Sequence, residues 1–403
     1  MERLRVNGLN VVLDKTKGNS VVVLVSVKVG STYENKNNAG ISHLIEHMVF
    51  EGTKTRTSQE ISKTIEQFGG ELNAFTDFEK TVYYVRIAKK HVEPALDILS
   101  DVIKNPTFEQ KSLEKEKKVV ADEINMIFDD PKMYQWFFLL RNLFQKNPVK
   151  NPIYGKKETV LNLSRQSVID FYKKYYVRDN LELIVVGNFN KKRIIKLIKN
   201  YFNNIKTGKV LRRNKILEKP LNAKKQCTEI KKTKQSYIVF GFKTVPRTKK
   251  DSYVFDVLNA ILCRGQSSKL FEEIRTKRGL AYILGSYLEE GSDYGFYGIY
   301  VASNIKNLVQ IKKIVFDEIQ KLKHISSEDL KKAKNYQEGS YLLETEDNEK
   351  KGALIASWSL CSNLDGLINY IKQINKVTKE DISRIIDSYM NERNSAIVII
   401  KQV

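Results

Sequence analysis

SRQSVIDFYKKYYVRDNLELIVV (Ser164–Val186) is answered late in the chain by TKEDISRIIDSYMNERNSAIVII (Thr378–Ile400). At a constant offset of 214, Ser164 meets Thr378, Val168 meets Ile382, Tyr175 meets Tyr389 and Asn180 meets Asn394. Each copy opens on a Ser or Thr suited to cap a helix, and then shows an apolar face of period 3.6. Each breaks at an Asn turn and ends in a short β-branched strand. Leu113 and Leu330, in two charged helical stretches, repeat at nearly the same offset. The chain of 403 residues is too long for one ordinary core, and it reads as one unit of about 200 residues used twice. The join falls where Gly208, Pro220 and many lysines interrupt the periodicity. The expected division is a first domain over 1–207, a basic linker over 208–224 and a homologous domain over 225–403.

Inside the first copy, Asn7-Gly8 between apolar runs reads as a hairpin turn. Val21–Val29 reads as a β-branched strand and Gly40–Phe50 as a helix. Thr57 and Glu60 form a capping-box pattern, and the helix they start is expected to stop at Gly69-Gly70. Leu72–Thr76 and Val82–Ala88 read as paired strands, followed by helices near 91–104, 108–128 and 132–145. Helices mixed with hairpins predict an α+β fold, each unit a mixed, largely antiparallel sheet flanked by helices.

The net charge is +22, but residues 191–234 hold 16 Lys or Arg against two Glu, so the other 359 residues carry only +8. A polyanion-gripping face interleaves its cations with aromatic or polar readers. This stretch has only Tyr201, Phe202 and, just beyond it, Tyr237. It reads as a solvated connector, and nucleic-acid binding is not expected. No apolar run approaches the roughly 18 residues that span a bilayer, so no membrane association is expected. The first residues carry no charged-then-apolar leader pattern, and Cys227, Cys263 and Cys361 form no CxxC pair. Both features make the cytoplasm the expected compartment. P-loop, G-x-G-x-x-G and G-x-S-x-G patterns are missing, which leaves nucleotide chemistry and serine hydrolysis without support.

The chain has four histidines, and two stand in one pentapeptide, His43-Leu44-Ile45-Glu46-His47. On a helix His43 and His47 lie about 40° apart, with Glu46 about 60° to the other side of His43. Two imidazoles in one sector can bind a metal, with a carboxylate beside the water that the metal activates. Leu44, Ile45, Met48 and Val49 bury the remainder of this helix. A catalytic zinc takes three protein ligands, so one more is needed, most simply a carboxylate. Glu116 and Glu123 share one face of a later helix. Spacing alone does not choose between them, nor does it remove Asp77 or Asp122.

With these residues in place, the sequence resembles the inverzincin metallopeptidases, the family of pitrilysin, insulin-degrading enzyme and the mitochondrial processing peptidase, in a short two-domain form. The family follows H-x-x-E-H with a Glu ligand about 76 residues after the second His. That position is Glu123 in Glu116-Lys-Lys-Val-Val-Ala-Asp-Glu123. The resemblance implies one Zn2+ per chain held by His43, His47 and Glu123, with Glu46 as general base and Glu116 in support of a ligand. Gly69 through Thr76, with Asn73, Ala74 and Phe75 at its centre, resembles the edge strand that holds peptide substrates by strand addition. Arg275 and Tyr282, in the segment Gly265–Tyr282, resemble the pair that holds substrate and its developing oxyanion. The stretch near Lys249–Leu262, equivalent to the His-bearing helix, has no His.

The implied activity is zinc-dependent endopeptidase action on peptides or unfolded segments, in a fold forming half of a clamshell. Long family members carry four such units in one chain. Here both motifs sit in a two-unit chain, which leads to the expectation of a homodimer with sites shared between chains. A non-catalytic scaffold or processing-subunit homologue is the alternative, although it predicts a damaged zinc motif.

Overall fold

Asn7 and Gly8 both adopt positive φ, 50° and 82°. They turn β1 (Glu2–Val6) back into β2 (Leu9–Lys15), as the Asn-Gly pair predicts. The computed structural model describes residues 1–210 and 212–402. Leu211, within the 208–224 connector, and Val403 lie outside the described residues. The first sheet adds β3 (Ser20–Val27), β4 (Glu71–Thr76), β5 (Thr81–Ala88) and β6 (Leu181–Gly187). Its order is β1-β2-β6-β3-β5-β4, with β2 and β6 parallel and every other pair antiparallel. The second sheet holds β7 (Lys225–Lys231), β8 (Ser236–Lys243), β9 (Ala281–Glu290), β10 (Gly295–Ser303) and β11 (Ser395–Gln402). Its order, β7-β11-β8-β10-β9, again has one parallel pair, β7 with β11.

The sequence repeat is therefore also a structural one. β6 and β11 are the strands ending the two echoing segments, and each lies between a parallel and an antiparallel neighbour. The helices before them, Arg165–Tyr175 and Lys379–Tyr389, are capped by the side chains of Ser164 and Thr378. The fold is α+β with two mixed sheets, as the patterning predicts.

Helices α1 (Ile41–Met48) and α2 (Ser58–Glu66) lie between β3 and β4. Thr57 and Glu60 do form a capping box, and Gly69 at φ 65° turns the chain towards β4. After β5 come α3 (Val92–Lys104), α4 (Gln110–Asp129) and α5 (Pro131–Leu143). Two compact units result: residues 1–125, 152–214 and 344–360, and residues 126–151, 215–343 and 361–403. This differs from the contiguous division at 1–207 and 225–403 in two helical segments. α5 packs on the second sheet, where Leu139 lies over Gly241 and Trp136 over Gly298. A Cβ on those glycines would come within 2.3 and 2.4 Å of the two side chains. The helix Asn348–Leu360 packs on the first sheet, and Ser359 Oγ donates to Glu182 of β6 at 2.7 Å. An apolar helix face shows that it must be covered, but its sequence does not say by which sheet.

The basic stretch 191–234 supplies a helix (Lys191–Tyr201), the connector and β7. Lys191 pairs with Glu2, Arg193 with Glu93, Arg213 with Glu79 and Lys224 with Glu392. Among the described residues no helix is long and apolar enough to cross a membrane.

Candidate metal centre

α1 starts at Gly40, whose φ of 93° is the left-handed region that glycine enters without strain. The Glu34 carboxylate accepts from the backbone N–H of Gly40 at 2.7 Å and of Ser42 at 2.8 Å. Two otherwise orphaned amides of the helix N-terminus are thus satisfied. Ile41, Leu44, Ile45 and Met48 are buried, which fixes the rotation of α1. That rotation brings His43, Glu46 and His47 towards α4 and the end of β4.

The Nε2 atoms of His43 and His47 lie 3.6 and 3.7 Å from Glu123 Oε2 on α4. Their imidazoles meet edge to face, with centroids 4.7 Å apart. His47 Nδ1 lies 3.1 Å from Glu116 Oε2, one face along α4 from Glu123, so its Nε2 is left to face the cluster. Thr76 Oγ1, at the end of β4, donates to Glu46 Oε2 at 2.5 Å. His43 is buried and its Nδ1 has no hydrogen-bond partner among the described residues.

Burial is the main influence on these groups. It pushes the Glu46 carboxyl up; the Thr76 hydrogen bond and His47 oppose it, and Glu123 adds to it. Burial, with a contribution from His47, takes His43 down to about 3, so its imidazole is a neutral donor. At His47 burial pulls downward but is outweighed by Glu116, Glu123 and Glu46, so its pKa is raised. The hydrogen bond from His47 holds the Glu116 carboxyl low.

Of the four carboxylates left open by spacing, Glu123 faces both Nε2 atoms. Glu116 backs His47, Asp77 pairs with Lys80 at 2.6 Å, and Asp122 is exposed. Asn73, Ala74 and Phe75 lie on β4, an edge of the first sheet, and Asn73 Oδ1 accepts from the Ala74 N–H at 2.8 Å. Arg275 and Tyr282 belong to the second unit and touch one another there. The guanidinium lies 4.3 Å from the ring centroid of Tyr282, which is 74% exposed. Sequence reading passes over three residues near the cluster: Glu34, Thr76 as the partner of Glu46, and Tyr154. The Tyr154 ring stands 4.7 Å from that of His43. Burial, then the charges of Glu123, Glu46 and Asp77, raises its phenol pKa. None of the three belongs to a spacing pattern; only the Thr57 to Glu60 type of local cap is visible in sequence.

The donor set suits zinc. A tetrahedral ion with bonds of about 2.0–2.2 Å holds its donors about 3.4 Å apart. Here both imidazole-to-carboxylate gaps are close to that edge, and all three donor atoms lie within 4.8 Å of one another. His47 also has its other nitrogen on a carboxylate, as metal-binding imidazoles commonly do.

The chain is similar to known proteins over most of its length. The family model described as "Insulinase (Peptidase family M16)" matches residues 10–157, and the one described as "Peptidase M16 inactive domain" matches residues 162–336. The chain is 32% identical to the "Uncharacterized zinc protease YmxG" of Bacillus subtilis, over 92% of this chain and 91% of that one. It is 33% identical to an "Uncharacterized zinc protease" of Rickettsia felis, over 81% and 79% of the two chains. A protease of known structure from Helicobacter pylori is 25% identical and superposes with a TM-score of 0.94 over 99% of both chains. A Pseudomonas fluorescens structure described as a peptidase M16 inactive domain shares the fold alone, at 19% identity and a TM-score of 0.90, over 100% of this chain and 98% of that one. The paired family models, the zinc proteases among its relatives and the H-x-x-E-H cluster agree: this chain belongs to peptidase family M16.

Proposed function

We propose that the protein is a zinc-dependent endopeptidase that cleaves short or unfolded peptides. The observation that carries this reading is the convergence of His43, His47 and Glu123 beside Glu46. Among the described residues this is the one such cluster of metal-binding donors, which supports one zinc per chain. Zinc bound there would supply a Lewis acid that acidifies water and polarises a scissile carbonyl. The chain's own residues do the rest. Glu116 orients His47 through Nδ1, and Glu46, its pKa raised by burial, takes a proton from water and returns it to the departing amine. Thr76 holds Glu46 in place. Since Thr76 also ends the edge strand β4, a peptide added alongside β4 would have its backbone beside the general base.

Strand addition requires an extended segment, so flexible chains rather than compact domains are the substrate class. We also infer a two-fold homodimer in which Arg275 and Tyr282 complete the partner's site, because this two-unit chain carries both motifs that the long members of the family it resembles spread over four units. Cys227, Cys263 and Cys361, with no CxxC pair among them, support a reducing compartment such as the cytoplasm. The scaffold alternative predicts a damaged zinc motif, and the intact H-x-x-E-H sequence with Glu123 beside it favours the enzyme reading.

The test is metal content beside peptide cleavage. Glu46→Gln should keep about one zinc per chain and lose cleavage by at least about 100-fold, since only the proton carrier is removed. His43→Ala and Glu123→Gln should lose the metal. Zinc retained in Glu123→Gln but lost in Glu46→Gln would overturn the assignment.

A further inference from the structure

The two imidazoles of the centre are supported unequally. His47 has Glu116 on Nδ1 at 3.1 Å, whereas His43 Nδ1 is buried with no hydrogen-bond partner among the described residues. A metal-binding imidazole normally has its ring orientation set by a bond to the second nitrogen. For His43 some other contact must do this.

That contact is a ring. Tyr154 meets His43 edge to face, with centroids 4.7 Å apart and planes at 84°, and His47 meets the same imidazole at 4.7 Å and 69°. His43 therefore stands between two near-perpendicular rings, an arrangement aromatic pairs favour. The Tyr154 ring is in direct contact with the site through the His43 imidazole.

The position of Tyr154 is tightly specified. Residues 152–155 form a turn closed by Gly155 N–H donating to Pro152 O at 3.1 Å. Gly155 has φ 76°, and a Cβ there would come within 2.3 Å of Ala39 O. Gly40, the residue that starts α1, has φ 93°, and a Cβ on it would come within 2.6 Å of Tyr154 O. Two left-handed glycines thus bring the Tyr154 turn backbone-to-backbone onto the start of the helix that bears His43.

We propose that Tyr154 is a positioning residue for the metal centre: it sets the orientation of His43 by ring packing, the task that Glu116 performs for His47 by hydrogen bonding. The proposal rests on the zinc reading above and adds a specific dependence to it. If the ring carries the effect, the hydroxyl is dispensable and the aromatic plane is not.

Zinc affinity of the full chain, measured by competition with a chromophoric chelator after metal removal, tests this without reference to activity. Tyr154→Phe should bind zinc within about 2-fold of wild type. Tyr154→Leu, which keeps apolar bulk but no ring, should bind roughly 10-fold more weakly or worse, in the range seen when outer partners of metal ligands are removed. Thermal melts of the metal-free variants check folding, and Tyr154→Met replaces the Leu variant if the latter is impaired. Leu or Met binding as tightly as wild type overturns the proposal. So does Phe losing as much as Leu, which would move the effect to the hydroxyl. His43→Ala separates the two claims: if it binds zinc like wild type, the metal reading itself fails, and otherwise the Tyr154 series decides the positioning role alone.

Discussion

The hydroxyl of Thr76 donates to Glu46 Oε2 at 2.5 Å, joining the last residue of an edge strand to the carboxylate proposed as general base. Glu46 has lost most of its water, so this bond does much to hold its orientation. Thr76→Val should lower kcat/KM by roughly 10-fold or more, in line with about 1.5–3 kcal/mol for a hydrogen bond to a charged group. Zinc content should stay unchanged and Thr76→Ser should recover most of the activity. Steady-state kinetics beside metal analysis would show this, and a fully active Val variant would remove Thr76 from the reading.

Glu34 offers a pH test away from the metal ligands. Burial holds its carboxyl up at about 7 against an ordinary 4.5, despite the two amides that pull it down. The folded protein therefore binds this proton more tightly than the unfolded chain does. The stability it contributes is complete below about pH 4.5 and is lost as pH rises through 7. Wild type should lose up to about 3 kcal/mol relative to Glu34→Gln between pH 4.5 and 8, at 1.36 kcal/mol per pKa unit. Denaturant melts of both proteins across that range measure the difference. A gap independent of pH would show that the carboxyl stays ionised throughout.

The seating of α5 on the second sheet makes a stability prediction. Gly298→Ala places a methyl where Trp136 approaches to 2.4 Å, and Gly241→Ala does the same against Leu139 at 2.3 Å. Each should cost about 1–3 kcal/mol through overpacking. Combining either with a smaller partner, Trp136→Leu or Leu139→Ala, should give less than the sum of the separate losses, because the pairs are in contact. Additive losses in urea melts would mean that the helix does not rest on these glycines.

The shared-site dimer can be examined by mixing two inactive variants, Glu46→Gln and Arg275→Ala, under conditions of subunit exchange. Random pairing makes roughly half the dimers mixed, each with one intact site of two, so activity should return to roughly a quarter of wild type. If no activity returned while mass spectrometry showed mixed dimers, the residues would have to act within one chain.

Much of this protein is legible locally. The pitch of a helix is the same wherever it lies, so His43, Glu46 and His47 must share a sector once the segment is helical. The Asn7-Gly8 turn, the Thr57–Glu60 capping box and the helix-to-strand echo at offset 214 are likewise short-range facts, and each appears where the residues put it. The family pattern pointed to Glu123 beyond what spacing could do. Four carboxylates were open on spacing because each lies at least 30 residues from His47, where no helical or strand period reaches.

Packing alone decided the rest. Contacts between residues far apart in the chain set Glu123 against both Nε2 atoms, Glu116 behind His47 and Thr76 on Glu46. They also set α5 on the second sheet and Tyr154 against His43. None of these follows from composition or period, because each depends on which of several chemically equivalent faces and carboxylates the tertiary fold brings within reach. Local sequence determines the shape of each segment; excluded volume and the burial of apolar faces among all segments determine which of them meet.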